Sequence, residues 1–423
     1  MKIFITGATG FIAKQLIPVL LEQKHELTLF TRRKISFSTT VKYCYGNFAQ
    51  MQNPEDWIEL LQEQDIVINL VGIIKENKKA SFEILHYQAP VALFKAAKRA
   101  GIQKVIQISA LGAGQQASTL YYQTKGRADH CLQNLGIDYL ILRPSLVLGQ
   151  GGKSLGLFSA LALFPRLFCI GDGKQLIQPV YINDLIRTIE IALTHQQSLI
   201  LNVVGKNPIE FQQLLMGLRQ NFGSSKQNPF YLPLWLTKLL PSLGFIMAEP
   251  MINKASLLML AEGNHASSQP LTEYLERPPL TWQDTLTQLS LSKADKLQAQ
   301  FYFIKPILRW SLAFLWFWTA LVSVFIFDKN TSFEYLAALG ISGPFAPLAL
   351  YGSALLDFSV AMLLIFRWRP KVLMQLQIAI ILSYSVLIAI FLPEFLIHPF
   401  GALTKNLIVL WAVYILFLLE EPL

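Results

Sequence analysis

Over the first 300 residues, short apolar runs rich in β-branched side chains alternate with longer stretches of helical pattern. Beyond them, long and almost unbroken apolar stretches take over. The runs Lys2 to Thr6, Glu26 to Thr31, Lys42 to Tyr45, Asp65 to Val71, Lys104 to Ser109 and Tyr139 to Arg143 predict strands. Phe11 to Glu22 and Ala89 to Ala100, the latter stopped by Gly101, predict crossover helices between them. This alternation is the pattern of a parallel α/β sheet covered on both faces.

Four apolar stretches follow: Ile307 to Phe327, Pro344 to Phe366, Val372 to Leu392 and Asn406 to Leu419. The first three have 21, 23 and 21 residues, close to the ~20 a helix needs to cross a bilayer core. The fourth has 14 and rises only about 21 Å, so it spans only if its helix begins near Gly401 or the bilayer thins. We expect a four-helix transmembrane bundle. Lys305 and Arg309 precede the first stretch, and Arg367, Arg369 and Lys371 crowd the link between the second and third. Those clusters belong on the cytoplasmic side, which puts both ends of the chain inside. A buried helical hairpin is the alternative, but four such stretches exceed ordinary core composition.

Composition sharpens the division. Of the 36 Lys and Arg and 27 Asp and Glu, the first 300 residues hold 29 and 21, so 8 of the 9 excess positive charges lie there. A hydrophobic content of 53% excludes a disordered chain. Cys44, Cys131 and Cys169 are odd in number and unpaired in spacing, which suits a reducing compartment and excludes a secreted disulfide scaffold. The six histidines form no set at ligand spacing, so no metal site is expected. The start lacks an apolar signal core, because Gly7 and Gly10 break the run, and the soluble part is expected in the cytoplasm. The boundaries expected are 1–300, divided into a dinucleotide core of about 1–150 and a substrate-side part of about 151–300, and then 301–423.

The chemistry begins at Thr6-Gly7-Ala8-Thr9-Gly10-Phe11-Ile12-Ala13, between the first strand and the first helix. Gly7 permits the tight turn, Gly10 lets backbone approach a pyrophosphate at the positive helix end, and Ala13 allows close helix-to-strand packing. The stretch reads as the fingerprint of a Rossmann-type doubly wound fold; a glycine turn in a cofactor-free α/β protein is the alternative. An NAD-selective domain usually ends its second strand with an acid, but Arg32 and Arg33 stand here. Guanidinium suits a 2′-phosphate, which points to NADPH, with NAD as the alternative cofactor; two solvated surface arginines would look the same. Gly46 and Asn47 end the third strand and Asn69-Leu70-Val71-Gly72 ends the fourth, where they would line the adenine and nicotinamide-ribose sides of one crevice. Further on, Tyr121 and Lys125 are four apart, so a helix carries both on one face, where an ammonium can lower the tyrosine pKa and bond a ribose.

These landmarks, TGATGFIA, NLVG, LHYQAPVALFKAAKRAG, ISALGA, YYQTK and LRPSLVLGQG, resemble the atypical short-chain dehydrogenase/reductases of the complex-I-accessory-subunit-like, epimerase-related group. Weaker similarity runs through Gly171-Asp172-Gly173, Pro179 to Asp184 and Asn202 to Gly205. Leu312 to Trp316, Leu356-Asp357 and His398 to Asn406 resemble DoxX-like four-helix domains fused to such reductases. The resemblance implies a nicotinamide dinucleotide held by Gly7, Thr9, Gly10, Phe11, Ile12, Arg32, Arg33, Gly46, Asn47, Leu70, Val71, Gly72, Lys125 and Pro144. It implies Tyr121 as proton donor or acceptor and Lys125 as its electrostatic partner. Ala110 replaces a serine that many relatives carry, so the polarising hydroxyl falls to Ser109, Ser118 or Thr119, with Ser109 preferred.

Residues 151–300 should form a small substrate lobe. Leu157 to Phe168 and Phe230 to Phe245 are apolar, fitting a pocket, a membrane-facing surface or ordinary core; Asp172 and Asp184 fit a cleft, loop solvation or helix capping. Three functions remain: a membrane-anchored reductase or epimerase of a lipophilic substrate such as a quinone or lipid intermediate, a non-catalytic NADPH-binding structural or assembly protein, and a redox sensor coupled to the membrane part. The location expected is a cell inner membrane. Nucleic acid is not an expected partner despite a pI near 9.3, because an attached bilayer with anionic headgroups attracts the same positive surface.

Overall fold

The structure, a computed structural model, describes every residue except 33, 35–36, 78–79, 196, 226, 234–241, 243–251, 398–400, 402 and 421–423. The chain forms two compact units, Met1–Gln300 and Phe301–Leu423.

The first unit is built on strands β1 (Lys2–Thr6), β2 (Glu26–Thr31), β3 (Lys42–Tyr45), β4 (Ile66–Asn69), β5 (Lys104–Ile108) and β6 (Asp138–Pro144), with α1 (Phe11–Glu22), α2 (Glu55–Leu61), α3 (Ala89–Arg99) and α4 (Leu120–Gln133) between them. Across the sheet the order is β3, β2, β1, β4, β5, β6 and then Leu199–Val203, every neighbouring pair parallel. The order reverses between β1 and β4, so their carboxyl ends open a crevice at that switch point.

Alternation along β1 explains the two covered faces. Ile3 and Ile5 enter a core with Ala13, Leu16, Ile17 and Leu20 of α1. Phe4 points the opposite way, to Trp57, Val67 and Phe94. Trp57 is fully buried, yet its indole N–H donates to the Met51 carbonyl at 3.0 Å, so its burial leaves no polar atom stranded. The sixth predicted strand and its predecessors form close to their expected bounds. Leu199–Val203, a seventh strand that pairs with β6, was not among them.

Beyond β6, three two-stranded pairs and several helices surround a separate core of Leu148, Leu155, Cys169, Phe211, Leu214 and Trp282. The Leu157 to Phe168 stretch contributes buried Leu157, Ala160, Ala162 and Leu167, which is core packing, while Phe164 is exposed. Phe230 and Tyr231 are exposed; most of the remainder of Phe230 to Phe245 lies outside the described residues. Asp184 is buried and accepts from Arg277 Nη2 at 2.7 Å and Leu280 N at 3.0 Å, tying down the 277–280 segment. Asp172 caps its own turn, accepting from Lys174 N at 3.0 Å.

Toward the C-terminus, the helical stretches Lys293–Ile326, which starts before the unit boundary, Phe345–Ile365 and Pro370–Phe391 are long and apolar enough to cross a membrane. The fourth expected span is the helix Lys405–Glu420. Its 16 residues fall short of the ~20 required. It nevertheless packs into the bundle, where Val413 and Leu416 join Leu312, Trp316, Val360, Leu364 and Leu373. An additional helix, Lys329–Ala338, lies between the first two spans. Leu348, Leu355, Ile390 and Ile408 face outward, the inverse of a water-soluble bundle. Inside, Trp316 Nε1 donates to Gln377 Oε1 at 3.0 Å, and Arg309 pairs with Glu420. Asp357 faces the interior, as its position in an apolar helix requires, and its Oδ1 has no hydrogen-bond partner among the described residues. Of the His398 to Asn406 motif, His398, Pro399, Phe400 and Ala402 lie outside the described residues.

Candidate functional site

The crevice is built first from backbone. Gly7 has φ +74, and a Cβ there would lie 2.9 Å from the carbonyl carbon of Leu70, so the turn after β1 rests directly on the chain leaving β4. Gly10 N donates to Gly7 O at 2.9 Å, and Gly10 caps α1 with no side-chain hydrogen bond. The first-turn amides of Phe11 and Ile12 therefore face the crevice end of the helix, where the helix dipole favours an anion. Thr9 is exposed at the turn's apex. The Phe11 ring lies against Gly149 and Gly152, which brings the loop after β6 to the same helix end.

Beneath this turn runs a buried polar chain across three adjacent strand ends. Thr6 Oγ1 donates to Asn69 Oδ1 at 2.6 Å, and Asn69 Nδ2 donates to Gln107 Oε1 at 2.7 Å. Val71 N also donates to Asn69 Oδ1, at 3.3 Å, which sets the path of Leu70, Val71 and Gly72 along the crevice rim. At the other rim, Arg32 is exposed just after β2, with no acid beside it at the strand end; Arg33 lies outside the described residues. Gly46 is required by packing, since a Cβ would meet the Phe30 ring at 2.7 Å. Asn47 Oδ1 accepts from Ala49 N at 3.2 Å, capping a 3-10 turn at the end of β3.

α4 delivers the titratable pair. Thr119 caps it, accepting from Tyr122 N at 3.3 Å. Lys125 is buried, its Nζ donating to the Ile108 carbonyl at 3.0 Å and lying 5.7 Å from the Tyr121 ring centre. A Cβ on Gly72 would be 3.8 Å from that Nζ, so Lys125 reaches the rim of the crevice. The expected lowering of the tyrosine pKa is not what the surroundings produce: burial, reinforced by Tyr122, holds the Tyr121 hydroxyl above the usual tyrosine range. Burial also brings Lys125 down to about 8, with Asp129 pulling the other way.

His86 is the residue the sequence reading missed. It belongs to a π-helical turn, Glu83–Gln88, that leads into α3. Its Nε2 accepts from Ile73 N at 3.1 Å, and its ring stacks on Phe82 and meets the edge of Tyr121 at 5.2 Å. Arg127 of α4 clamps the same turn by pairing with both Glu83 oxygens, at 2.8 and 3.2 Å, while lying 3.8 Å over the Tyr87 ring. Burial, with help from the Lys125 charge, keeps the imidazole well below its ordinary 6.5. The unfolded chain therefore binds a proton on acidification that the fold refuses, so stability falls as pH drops below about 6.5, by up to about 1.4 kcal/mol per pH unit from this group. His86→Gln should flatten that slope in urea titrations compared between neutral and mildly acidic pH.

Two of the three candidate polarising hydroxyls donate elsewhere. Ser109 Oγ donates to Asp129 Oδ2 at 2.7 Å, in the interior. Ser118 Oγ donates to Glu262 Oε2 at 2.7 Å, beside a cleft lined by Tyr122, Asn264 and His265. Thr119 Oγ1 accepts the capping bond and retains its own proton to donate. Pro144 accepts from Leu111 N at 2.9 Å, holding the loop after β5 along β6. The structure thus gathers Gly7, Gly10, Leu70, Val71, Gly72, Tyr121 and Lys125 about one crevice and leaves the Ser109 hydroxyl turned to Asp129. A glycine turn no side chain can occupy, an uncapped helix end and a cation at the rim fit a dinucleotide.

Residues 7–157 match a family model described as NAD(P)H-binding, and residues 313–414 match the DoxX-like family. The chain joins an NAD(P)-binding Rossmann domain to a C-terminal DoxX-like domain. Protein FMP52, mitochondrial, of Candida albicans is 28% identical over 195 residues, 44% of this chain and 84% of that protein. NADH dehydrogenase (ubiquinone) 1 alpha subcomplex subunit 9, mitochondrial, of Rattus norvegicus is 25% identical over 189 residues. That match covers 43% of this chain and 50% of the subunit, so the NAD(P)-binding chain spans half the subunit's length. Among solved structures, UDP-N-acetylglucosamine 4-epimerase from Bacillus cereus superposes with a TM-score of 0.52 at 15% identity, covering 70% of this chain and 96% of that one. dTDP-glucose 4,6-dehydratase from Streptomyces venezuelae, with NAD and TYD bound, gives 0.53 at 15% identity, covering 69% and 96%. These likenesses establish an epimerase/dehydratase-like fold.

Proposed function

We propose that the chain is a membrane-anchored, NADPH-dependent oxidoreductase or epimerase acting on a lipophilic substrate. The observation that carries the reading is the convergence of Tyr121 and Lys125 on the crevice beside the Gly7–Gly10 turn, with Lys125 Nζ 3.8 Å from where a Gly72 Cβ would stand. Gly7, Thr9, Gly10 and the Phe11 and Ile12 amides would hold the pyrophosphate, Arg32 and Arg33 a 2′-phosphate, and Gly46, Asn47, Leu70, Val71, Gly72 and Pro144 the remaining rim. A nicotinamide supplies or accepts a hydride when bound. Tyr121 gives or takes the proton at its phenolic oxygen, and the Lys125 ammonium bonds a ribose hydroxyl. Residues 151–300 supply the substrate side. The attached apolar helices support a lipophilic substrate, for which tethering shortens the path to the site. Lys305, Arg309, Arg367, Arg369 and Lys371 support an inner-membrane protein with its N-terminal unit in the cytoplasm.

A second reading, an NADPH-binding structural or assembly protein, draws on the occupied Ser109 hydroxyl and on the likeness to a respiratory-complex subunit. Calorimetry of the full chain in mild detergent tests the cofactor assignment common to both. NADPH should bind more tightly than NADH, and Arg32→Ala should remove about ten- to a hundredfold of that preference, the loss of one charge-assisted bond of roughly 1.5–3 kcal/mol. Equal affinities, unchanged in the variant, would overturn the phosphate clamp. Turnover of NADPH with a lipophilic carbonyl or quinone separates enzyme from structural protein.

A further inference from the structure

The interior behind Lys125 holds a buried charge arrangement that links α4 to β5 and β6. Asp129 is fully buried, one helical turn beyond Lys125 on the same face of α4. Its Oδ2 accepts three bonds, from Ser109 Oγ at 2.7 Å, Arg143 Nε at 3.1 Å and Arg143 Nη2 at 3.0 Å, while Oδ1 has no partner among the described residues. Three donors on one oxygen favour the ionised carboxylate, whereas burial pushes the group upward from the usual carboxylate range.

The groups facing Lys125 can be enumerated. Its own helix brings Tyr121 and Asp129, and β5 brings only the Ile108 carbonyl and the Ser109 hydroxyl at its end. β6 brings Arg143 against Asp129, and the π-helical turn brings His86, with Glu83 engaged by Arg127. Asp129 is therefore the one anion acting on Lys125 from the interior among the described residues, and Arg143 pairs with the same carboxylate. Without it, the buried Lys125 ammonium would face no opposing charge from the interior, and a lysine can shed its charge.

We infer that Asp129 is a positioning carboxylate, oriented by Ser109 and Arg143, that keeps the Lys125 ammonium charged in its buried seat, and that Ser109 acts through this carboxylate instead of on a substrate. The inference rests on the reading of Lys125 as a dinucleotide contact. The full chain in detergent is titrated with NADPH from neutral to alkaline pH. Wild-type affinity should weaken as pH rises through about 8, where Lys125 loses its proton. Asp129→Asn should move that midpoint down by about one pH unit or more, and Ser109→Ala should move it the same way by less. Asp129→Glu should recover part of the shift, and Lys125→Met should abolish the step. Should Asp129→Asn fail to fold, Ser109→Ala carries the test. Binding with the same midpoint in wild type, Ser109→Ala and Asp129→Asn would overturn the inference alone. No NADPH binding by wild type at any pH would overturn the dinucleotide reading and the inference with it.

Discussion

Tyr121→Phe is expected to lower turnover by about 10²- to 10⁴-fold, the usual contribution of general acid–base catalysis, with NADPH affinity nearly unchanged. The substitution removes one oxygen and keeps the ring, whose neighbours are Phe82, His86 and Tyr122 at centre distances of 5.6, 5.2 and 5.4 Å. Packing around it should survive, so a loss of rate reports the hydroxyl. Burial holds that hydroxyl above the usual tyrosine range. A strain lacking the protein, fully complemented by Tyr121→Phe, would sink the enzyme reading and leave the structural one.

Gly126→Ala should also be damaging, without touching a functional atom. A Cβ at Gly126 would lie 2.5 Å from the backbone N, Cα and C of Gly114, and backbone atoms cannot rotate aside. Gly114 N also donates to the Tyr122 carbonyl at 3.3 Å, so the loop and the helix approach each other along several residues. Overpacking costs roughly 1–3 kcal/mol, occasionally more. Relief requires α4 to move, and Lys125 is the preceding residue. Thermal unfolding followed by fluorescence should show a lower midpoint. The folded fraction should bind NADPH weakly and turn over at least about tenfold more slowly, since ångström-scale misplacement alone costs up to ~10²-fold. Unchanged stability and binding would mean that the loop yields and the helix is not held as tightly as its glycine implies.

The features legible in the sequence were those written in local spacing. Lys2 to Thr6, the two glycines and the helix after them specify one another over a few residues, and Tyr121 with Lys125 needs only the helical repeat. The three apolar spans are likewise set by length. What escaped was fixed by partners distant along the chain. Ser109 was read by its order after β5, but its hydroxyl is directed by Asp129, 20 residues on. Asp129 and Arg143 look like ordinary charges of a helix and a strand until the sheet brings them together. His86 sits in a quoted motif, yet its role depends on Ile73 N and on a turn whose width no 3.6-residue periodicity forecasts. The effect assigned to Lys125 on Tyr121 failed for a related reason: spacing gives proximity, whereas desolvation by Phe82, His86 and Tyr122 is a property of the packed interior.

The widened turn Glu83–Gln88 carries a length constraint. Regular α-helix places successive residues about 100° apart around its axis. Deleting a single residue within this turn would let the backbone relax to the commoner helix, and α3 would lose nothing of its own ladder. Everything upstream would rotate by that angle, however, carrying Phe82 and the segment before it away from the Tyr121 ring and breaking the register by which Arg127 grips Glu83. The spacing from Phe82 to Ala89 is therefore itself a part of the site.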